Sequence, residues 1–90
     1  MTAQASAVNV TGDAAVSAVP CTYRGFFIAS AAGATVTIYD HASAASGTVL
    51  ASFTLAAGGS LSDDIADGVR CLNGVYVDTS AAVTGHVRIG

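Results

Sequence analysis

Polar and apolar side chains alternate along much of this chain, with the period of two residues that is typical of a half-buried β-strand. Residues 34–40, ATVTIYD, show the pattern most clearly. Val36 and Ile38 fall on the apolar side of this segment, whereas Tyr39 falls on the polar side with the threonines. The segment is therefore predicted to be a strand with one face in the core.

Residues 49–56, VLASFTLA, repeat this alternation. Four side chains are expected on their apolar face: Val49, Ala51, Phe53 and Leu55. The intervening HASAASG is too short for a stable helix, and its small residues suit a loop. We therefore expect the two segments to pair as a β-hairpin.

Shorter strand patterns surround this hairpin. Residues 21–29 are predicted to form a strand in which Gly25 marks a bulge or a close approach of another backbone. Residues 60–67, SLSDDIAD, have the pattern of a short, weaker strand, and the closing strand is expected to direct Val87 and Ile89 inward.

Turn residues separate these strands. The pair Asn73-Gly74 lies between two β-rich pieces and is typical of a type I′ hairpin turn. From residue 21 onward the pattern gives about six or seven strands, with turns every 8–12 residues, as in a sandwich or small barrel. We predict an all-β protein: a single antiparallel β-sandwich, Greek-key or jelly-roll-like, with about 6–8 short strands.

The N-terminal segment has weaker alternation, and a Gly12-Asp13 turn signal interrupts it. Residues 1–20 are predicted to be an N-terminal arm or an edge hairpin, and residues 21–90 the sandwich domain. Pro20 suits the boundary because proline donates no ladder hydrogen bond. Whether such an arm clasps a neighbouring protein or completes its own sheet stays open at the level of sequence.

The charged residues support the all-β interpretation. All six acidic residues are Asp and all three basic residues are Arg, so the chain lacks the Glu and Lys that usually cover the solvent face of helices. A net charge of −3 with three scattered cations gives no stripe of phosphate contacts, so we expect no nucleic-acid partner. No apolar run is long enough to span a bilayer and no secretory leader is recognisable, so we expect no membrane partner.

The two cysteines, Cys21 and Cys71, have neither zinc-site nor redox-motif spacing. In a reducing cytoplasm both would be small buried apolar residues, and a disulfide between them is the alternative.

No segment has a recognisable catalytic pattern. Asp63, Asp64 and Asp67 could collect calcium, but apolar residues stand where an EF-hand loop needs ligands. His41 and His86 are isolated histidines. We therefore predict no catalytic residue, cofactor or metal site, and a protein that is not an enzyme.

Surface contacts are the remaining source of function. Five residues belong to the types that interfaces favour and are our interface candidates: Tyr23, Arg24, Tyr39, Arg70 and Tyr76. The alternative is ordinary cross-strand packing of the tyrosines on a sheet face. Because only 10% of the residues are charged, permanent association with other subunits would explain the composition.

Residues 22–89 resemble small β-sandwich proteins encoded near the structural genes of tailed bacteriophages. The resemblance lies in TVTIYD, in SGTVLASFTLAAG, in GVR leading into NGVYVD, and in the closing VRI. It implies a virion accessory protein on the capsid surface, most simply a capsid decoration or cement protein assembled in the host cytoplasm. It further implies the major capsid protein or another virion structural protein as partner, and a homo-oligomer, with a trimer favoured.

Other functions stay open from sequence. A neck, tail or fibre-associated virion protein fits the same resemblance. A glycan-binding module would use exposed tyrosines and loop aspartates, although the chain has no Trp for a sugar platform.

Overall fold

The computed structural model describes residues 6–90, apart from the side chain of Ala66. The described part of the chain forms eight β-strands: β1 (Ser6–Asn9), β2 (Ala14–Ser17), β3 (Cys21–Ser30), β4 (Ala34–Asp40), β5 (Thr48–Leu55), β6 (Gly59–Cys71), β7 (Val75–Thr79) and β8 (Thr84–Ile89). The prediction of an all-β chain is confirmed.

The strands form two antiparallel sheets, one in the order β1-β8-β3-β6 (sheet A) and the other in the order β2-β7-β4-β5 (sheet B). Strand β1 pairs with β8, β2 with β7, β3 with β6 and β4 with β5, as in one long hairpin whose two arms run side by side. Rolling that hairpin into two sheets adds the pairs β3–β8 and β4–β7. The fold is therefore a jelly roll, one of the two topologies that the pattern left open.

Residues 6–17 belong to the sandwich and do not form a hairpin with each other; the first five residues of the predicted arm lie outside the described residues. Strand β1 lies at the edge of sheet A and β2 at the edge of sheet B, so the chain crosses between the sheets after Asn9. Val10 is buried in the core at this crossing. The Asp13 carboxylate accepts a hydrogen bond of 2.6 Å from the Thr79 N–H and fixes the crossing to the end of β7. Residues 6–17 thus complete the protein's own sheets.

The predicted hairpin of β4 and β5 is confirmed, but its inward face is not entirely as predicted. The register shifts between Ile38, opposite Ala51, and Tyr39, opposite Val49. This β-bulge turns Leu50 toward the core and leaves Val49 51% exposed. An extra residue reverses the alternation beyond it, which a strict period of two cannot anticipate.

Strand β6 and its link to β7 also differ from the prediction. The SDDIAD segment was predicted to belong to a short strand, but it lies inside a strand of 13 residues. Strands β6 and β7 lie in different sheets, so Asn73-Gly74 does not close a hairpin. No described residue other than glycine has a positive φ, which excludes a type I′ turn at Asn73.

The Asp40 side chain organises the β6–β7 link. Its carboxylate oxygens accept hydrogen bonds from the backbone N–H groups of Leu72, Asn73 and Gly74 at 3.1, 3.0 and 3.3 Å. These bonds, led by that of Asn73, lower the pKa of Asp40. A residue at the end of the β4–β5 hairpin thereby holds the chain where it passes from sheet A to sheet B.

The core lies between the sheets and is built mainly from valine and isoleucine. The rings of Phe26 on β3 and Phe53 on β5 stack across it, with centroids 4.6 Å apart and planes within 5°. Val36 and Ile38 on β4 are buried, as predicted, and so is Val87 on β8. Ile89 is only partly buried but packs against the same core.

Gly25 occupies a bulge and a close backbone approach, as predicted. Its φ is 118°, and a Cβ at this position would collide with the carbonyl oxygen of Asp63. From β8, the Arg88 guanidinium donates hydrogen bonds to the carbonyls of Phe26 at 3.0 Å and Asp63 at 2.9 Å. Arg88 therefore ties β8, β3 and β6 together where the β3–β6 ladder is interrupted.

Candidate interaction surface

The outer face of sheet B carries a row of apolar and aromatic side chains that crosses all four strands. Ala15 lies opposite Tyr76, Tyr76 opposite Tyr39, and Tyr39 opposite Val49. Directly opposed residues of antiparallel strands project to the same face. Because Ile38 and Val77 next to the tyrosines are buried, the tyrosines themselves point outward. We call Ala15, Tyr76, Tyr39 and Val49 the tyrosine row.

The surroundings of the tyrosine row are polar but almost uncharged. Beyond the row, the outer face continues with Thr37 beside Ser52 and Thr35 beside Thr54. The strands of sheet B contain two charged residues, Asp40 and Asp78, and no cation. Asp40 is engaged with the β6–β7 link, so Asp78 is the charge left to face a partner on this sheet.

Two further exposed apolar side chains lie at the end of the sandwich that carries the tyrosine row. Leu72 is 69% exposed, and its N–H bonds to Asp40, which directly follows Tyr39. Val19 is 63% exposed in the segment after β2. Sequence reasoning missed both residues, and it placed Val49 in the core. The signal that could have found Leu72 is its position beside Asn73-Gly74, since links between strands lie at the surface.

One predicted interface residue, Tyr23, is wrongly assigned. Its side chain is completely buried between the sheets, at 0% exposure, so it cannot contact a partner of the folded protein. Burial, together with the nearby charge of Asp63, raises the pKa of Tyr23. Its hydroxyl has no hydrogen-bond partner among the described residues. The alternation could not show this, because Tyr23 stands next to the bulge around Gly25, where the phase of the strand changes.

The predicted arginines do not join the tyrosines in one patch. Arg24 lies on β3 and Arg70 on β6, both in sheet A, whereas Tyr39 and Tyr76 lie in sheet B. Arg70 is exposed and Arg24 is partly buried. Of the five candidates, the structure brings together only Tyr39 and Tyr76, as direct cross-strand neighbours. That arrangement is the cross-strand packing on a sheet face that the sequence left as one alternative, and both rings lie on the outer surface of sheet B.

The four sheet edges differ in how they are protected from pairing with another chain. Strands β1 and β2 have four residues each, and β2 also contains a register shift. Strand β6 carries Asp63, Asp64, Asp67 and Arg70. Strand β5, TVLASFTL, is eight residues long and has neither a charge nor a proline. It therefore lacks the charge, proline and short length that usually protect an edge strand, and its irregular position is the bulge at Leu50.

The other candidate groups show no catalytic arrangement among the described residues. His41 Nδ1 accepts hydrogen bonds from the backbone N–H groups of Ser43 and Ala44, and His86 lies 6.2 Å from Phe27, ring to ring. The described residues contain no group of three metal-ligating side chains. A pocket of about 160 Å³ at one end of the sandwich is lined by residues 29–31 and 82–84, and its Ser30 hydroxyl already donates to the Ala82 carbonyl.

Cys21 and Cys71 are both free thiols. Cys71 is buried, as expected for a small apolar residue, whereas Cys21 is only half-buried.

Comparison of this chain with protein-family models, with curated proteins and with solved structures finds no match. Across residues 6–90 the structure contains no helix that is long and apolar enough to cross a membrane.

Proposed function

We propose that this protein is a non-catalytic structural component of a virion, namely a capsid decoration protein of a tailed bacteriophage that binds the outside of the head and stabilises it. The tyrosine row is the observation that carries the proposal. Tyrosine is enriched at protein interfaces because a rigid ring buries a large apolar area while its hydroxyl keeps a hydrogen bond. A row of such side chains on a nearly uncharged sheet supports a flat protein–protein contact.

The jelly-roll topology supports the same function by analogy. Viral capsid domains are among the proteins built on this fold, although lectins and cupins share it, so the fold alone does not define an activity. The resemblance of residues 22–89 to phage virion proteins points in the same direction.

The partners in this proposal are the major capsid protein, or another virion structural protein, and further copies of this chain. The long, uncharged β5 edge supports self-association, and a trimer is the oligomer that the resemblance implies. Repetition on a symmetric shell strengthens weak contacts, because the second contact of a linked pair forms at a high effective concentration. Such a protein needs defined contacts and many copies, but no reaction.

The test combines light scattering with co-sedimentation on capsid shells assembled from the major capsid protein of the same genome. We expect the wild-type chain to form a homo-oligomer and to sediment with the shells. The double variant Tyr39→Ser/Tyr76→Ser should bind about thirtyfold more weakly or worse, since losing a central interface aromatic commonly costs about 2 kcal/mol or more.

The matched control is Phe27→Ser, which removes an exposed aromatic from sheet A, on the other side of the sandwich. It should sediment with the shells as the wild type does. A wild-type protein that stays monomeric and leaves the shells bare would overturn the decoration function. Equal binding by the double variant would overturn the role of the tyrosine row.

A further inference from the structure

The two cysteines are direct cross-strand neighbours although 50 positions separate them in sequence. Cys21 is the first residue of β3, Cys71 is the last residue of β6, and the register of the two strands places them opposite each other. Their side chains therefore project to the same face, which is the inner face because Tyr23, two residues from Cys21, is buried.

This placement brings the two Cα atoms into the range of separations that a disulfide spans. Opposed residues of antiparallel strands have Cα atoms about 4.5–5.5 Å apart. Disulfides span Cα separations of about 4.4–6.8 Å. The hydrogen bond that the Cys71 thiol donates to the Val69 carbonyl is long, at 3.7 Å, and therefore weak.

The thiols differ in their access to solvent. Cys21 is half-buried, whereas Cys71 is fully buried. Burial, followed by the neighbouring Cys21 and Asp40, raises the pKa of Cys71 to about 11. A dissolved reagent should therefore reach Cys21 first, and Cys71 should react only with a group already attached at Cys21.

We propose that Cys21 and Cys71 form an intramolecular disulfide when the protein meets an oxidising low-molecular-weight disulfide such as glutathione disulfide. The Cys21 thiolate attacks one sulfur of the reagent and expels one glutathione thiolate. The Cys71 thiolate then attacks the Cys21 sulfur and expels the second glutathione. Two protein thiols are oxidised and one glutathione disulfide is reduced to two glutathione molecules, which take up the two thiol protons.

The bond would secure a weakly held part of an edge strand. The β3–β6 ladder is continuous from Gly59 to Asp64 and resumes at Val69 with three pairs, ending at Cys21–Cys71. A covalent link at the last pair fixes this short segment and closes a long loop in the unfolded chain. From the loop length we expect oxidation to raise Tm by about 10 °C or more.

The test treats the folded wild-type chain with glutathione disulfide, and a second sample with dithiothreitol. One portion of each sample is then denatured, alkylated and examined by intact-mass spectrometry and non-reducing electrophoresis. A second portion stays folded, and calorimetry measures its Tm. The oxidised monomer should lose the mass of two hydrogen atoms, resist alkylation at both cysteines and melt at higher temperature.

Single variants test the order of the reaction. Cys71→Ser should retain one glutathione at Cys21, whereas Cys21→Ser should stay unmodified because the remaining thiol is buried. A wild-type chain that keeps glutathione at Cys21, that forms a disulfide-linked dimer, or that leaves both thiols free would overturn the proposal. These readouts do not depend on capsid binding, so this inference and the proposed function can fail separately.

Discussion

Single side chains with several backbone contacts hold the irregular places of this sandwich. Asp40 binds three successive N–H groups of the β6–β7 link, and Arg88 binds two carbonyls around the Gly25 bulge. The β6–β7 link follows the end of the β3–β6 ladder, and the Gly25 bulge lies beside the interruption of that ladder. Buried or partly buried backbone groups are costly when they stay unpaired, so a charged side chain that pairs several of them stabilises the fold.

Substitution of Asp40 by asparagine should lower stability in a pH-dependent way. The pKa of Asp40 is lowered in the folded protein, from about 4 in an unfolded chain. Its contribution is therefore fully present above pH about 4 and is lost as the pH falls through the lower folded pKa. The difference in Tm between wild type and Asp40→Asn should be large at pH 7 and shrink toward pH 2, as calorimetry can measure.

The charge-matched control for Asp40→Asn is Asp67→Asn, which removes one negative charge from an exposed position on β6. At pH 7 it should change Tm less than Asp40→Asn does. If the Tm of Asp40→Asn differed from that of the wild type by the same amount at pH 2 and at pH 7, the carboxylate charge would have no special role in the link.

At the scale of elements, the edge strands β1 and β2 decide how the N-terminal segment behaves. The sequence suggested an N-terminal arm or edge hairpin separate from a sandwich domain of residues 21–90. In the structure β1 covers one edge of β8 and β2 covers one edge of β7. Val10 is buried between them, and Val16 packs against the core. The segment is therefore part of the folding unit.

Deletion of residues 2–19 should consequently destabilise the protein and not merely remove a docking arm. Full burial of one valine contributes about 1.5–3 kcal/mol, so losing Val10 and part of Val16 should cost more than about 2 kcal/mol. Exposure of the β7 and β8 edges should add a tendency to aggregate. Urea unfolding and light scattering measure the two effects.

A point variant separates packing from chain length in the same experiment. Val10→Asp should lower stability by much of the amount that the deletion does. Asn9→Asp, at the exposed end of β1, should leave stability nearly unchanged. A truncated chain with the wild-type urea midpoint would contradict this role of β1 and β2.

At the scale of the whole molecule, two sheets of four strands face each other across a thin core with few large side chains. The Phe26–Phe53 stack is the aromatic contact that joins the sheets. It lies toward the side where the edge strands β5 and β6 adjoin. A small domain has little apolar area to spare, so a single such contact accounts for a sizeable part of its stability.

Phe53→Ala should therefore lower the free energy of unfolding by about 2–3 kcal/mol, somewhat below the cost for a fully buried ring because Phe53 is only partly buried. Phe27→Ala removes the same ring from the outer face of sheet A and should cost less than about 1 kcal/mol. Chemical denaturation of both variants measures the difference, and equal losses would mean that the stack between the sheets is not special.

The two proposals also belong to this largest scale, because each concerns one of the two sheets of the sandwich. The tyrosine row offers a non-covalent contact on sheet B. The cysteine pair offers a covalent reinforcement at the far end of the β3–β6 ladder in sheet A. Neither requires a catalytic site.

The sequence by itself determined the all-β architecture, the β4–β5 hairpin and the special position of Gly25. The alternation of apolar and polar residues records which side chains share a face, and glycine records where another backbone comes close. Both patterns are local properties of the sequence. The folded chain obeys them because the burial of one strand face and the steric exclusion of a Cβ each act on individual residues.

Only the tertiary structure decided how the strands outside the β4–β5 hairpin pair and which face meets which sheet. It brought Cys21 beside Cys71, buried Tyr23, aligned Tyr39 with Tyr76 and turned Val49 outward. Such outcomes depend on bulges that reset the alternation and on partners far away in sequence. A period of two carries no information about either, so these contacts follow from the rolled topology and not from any one segment.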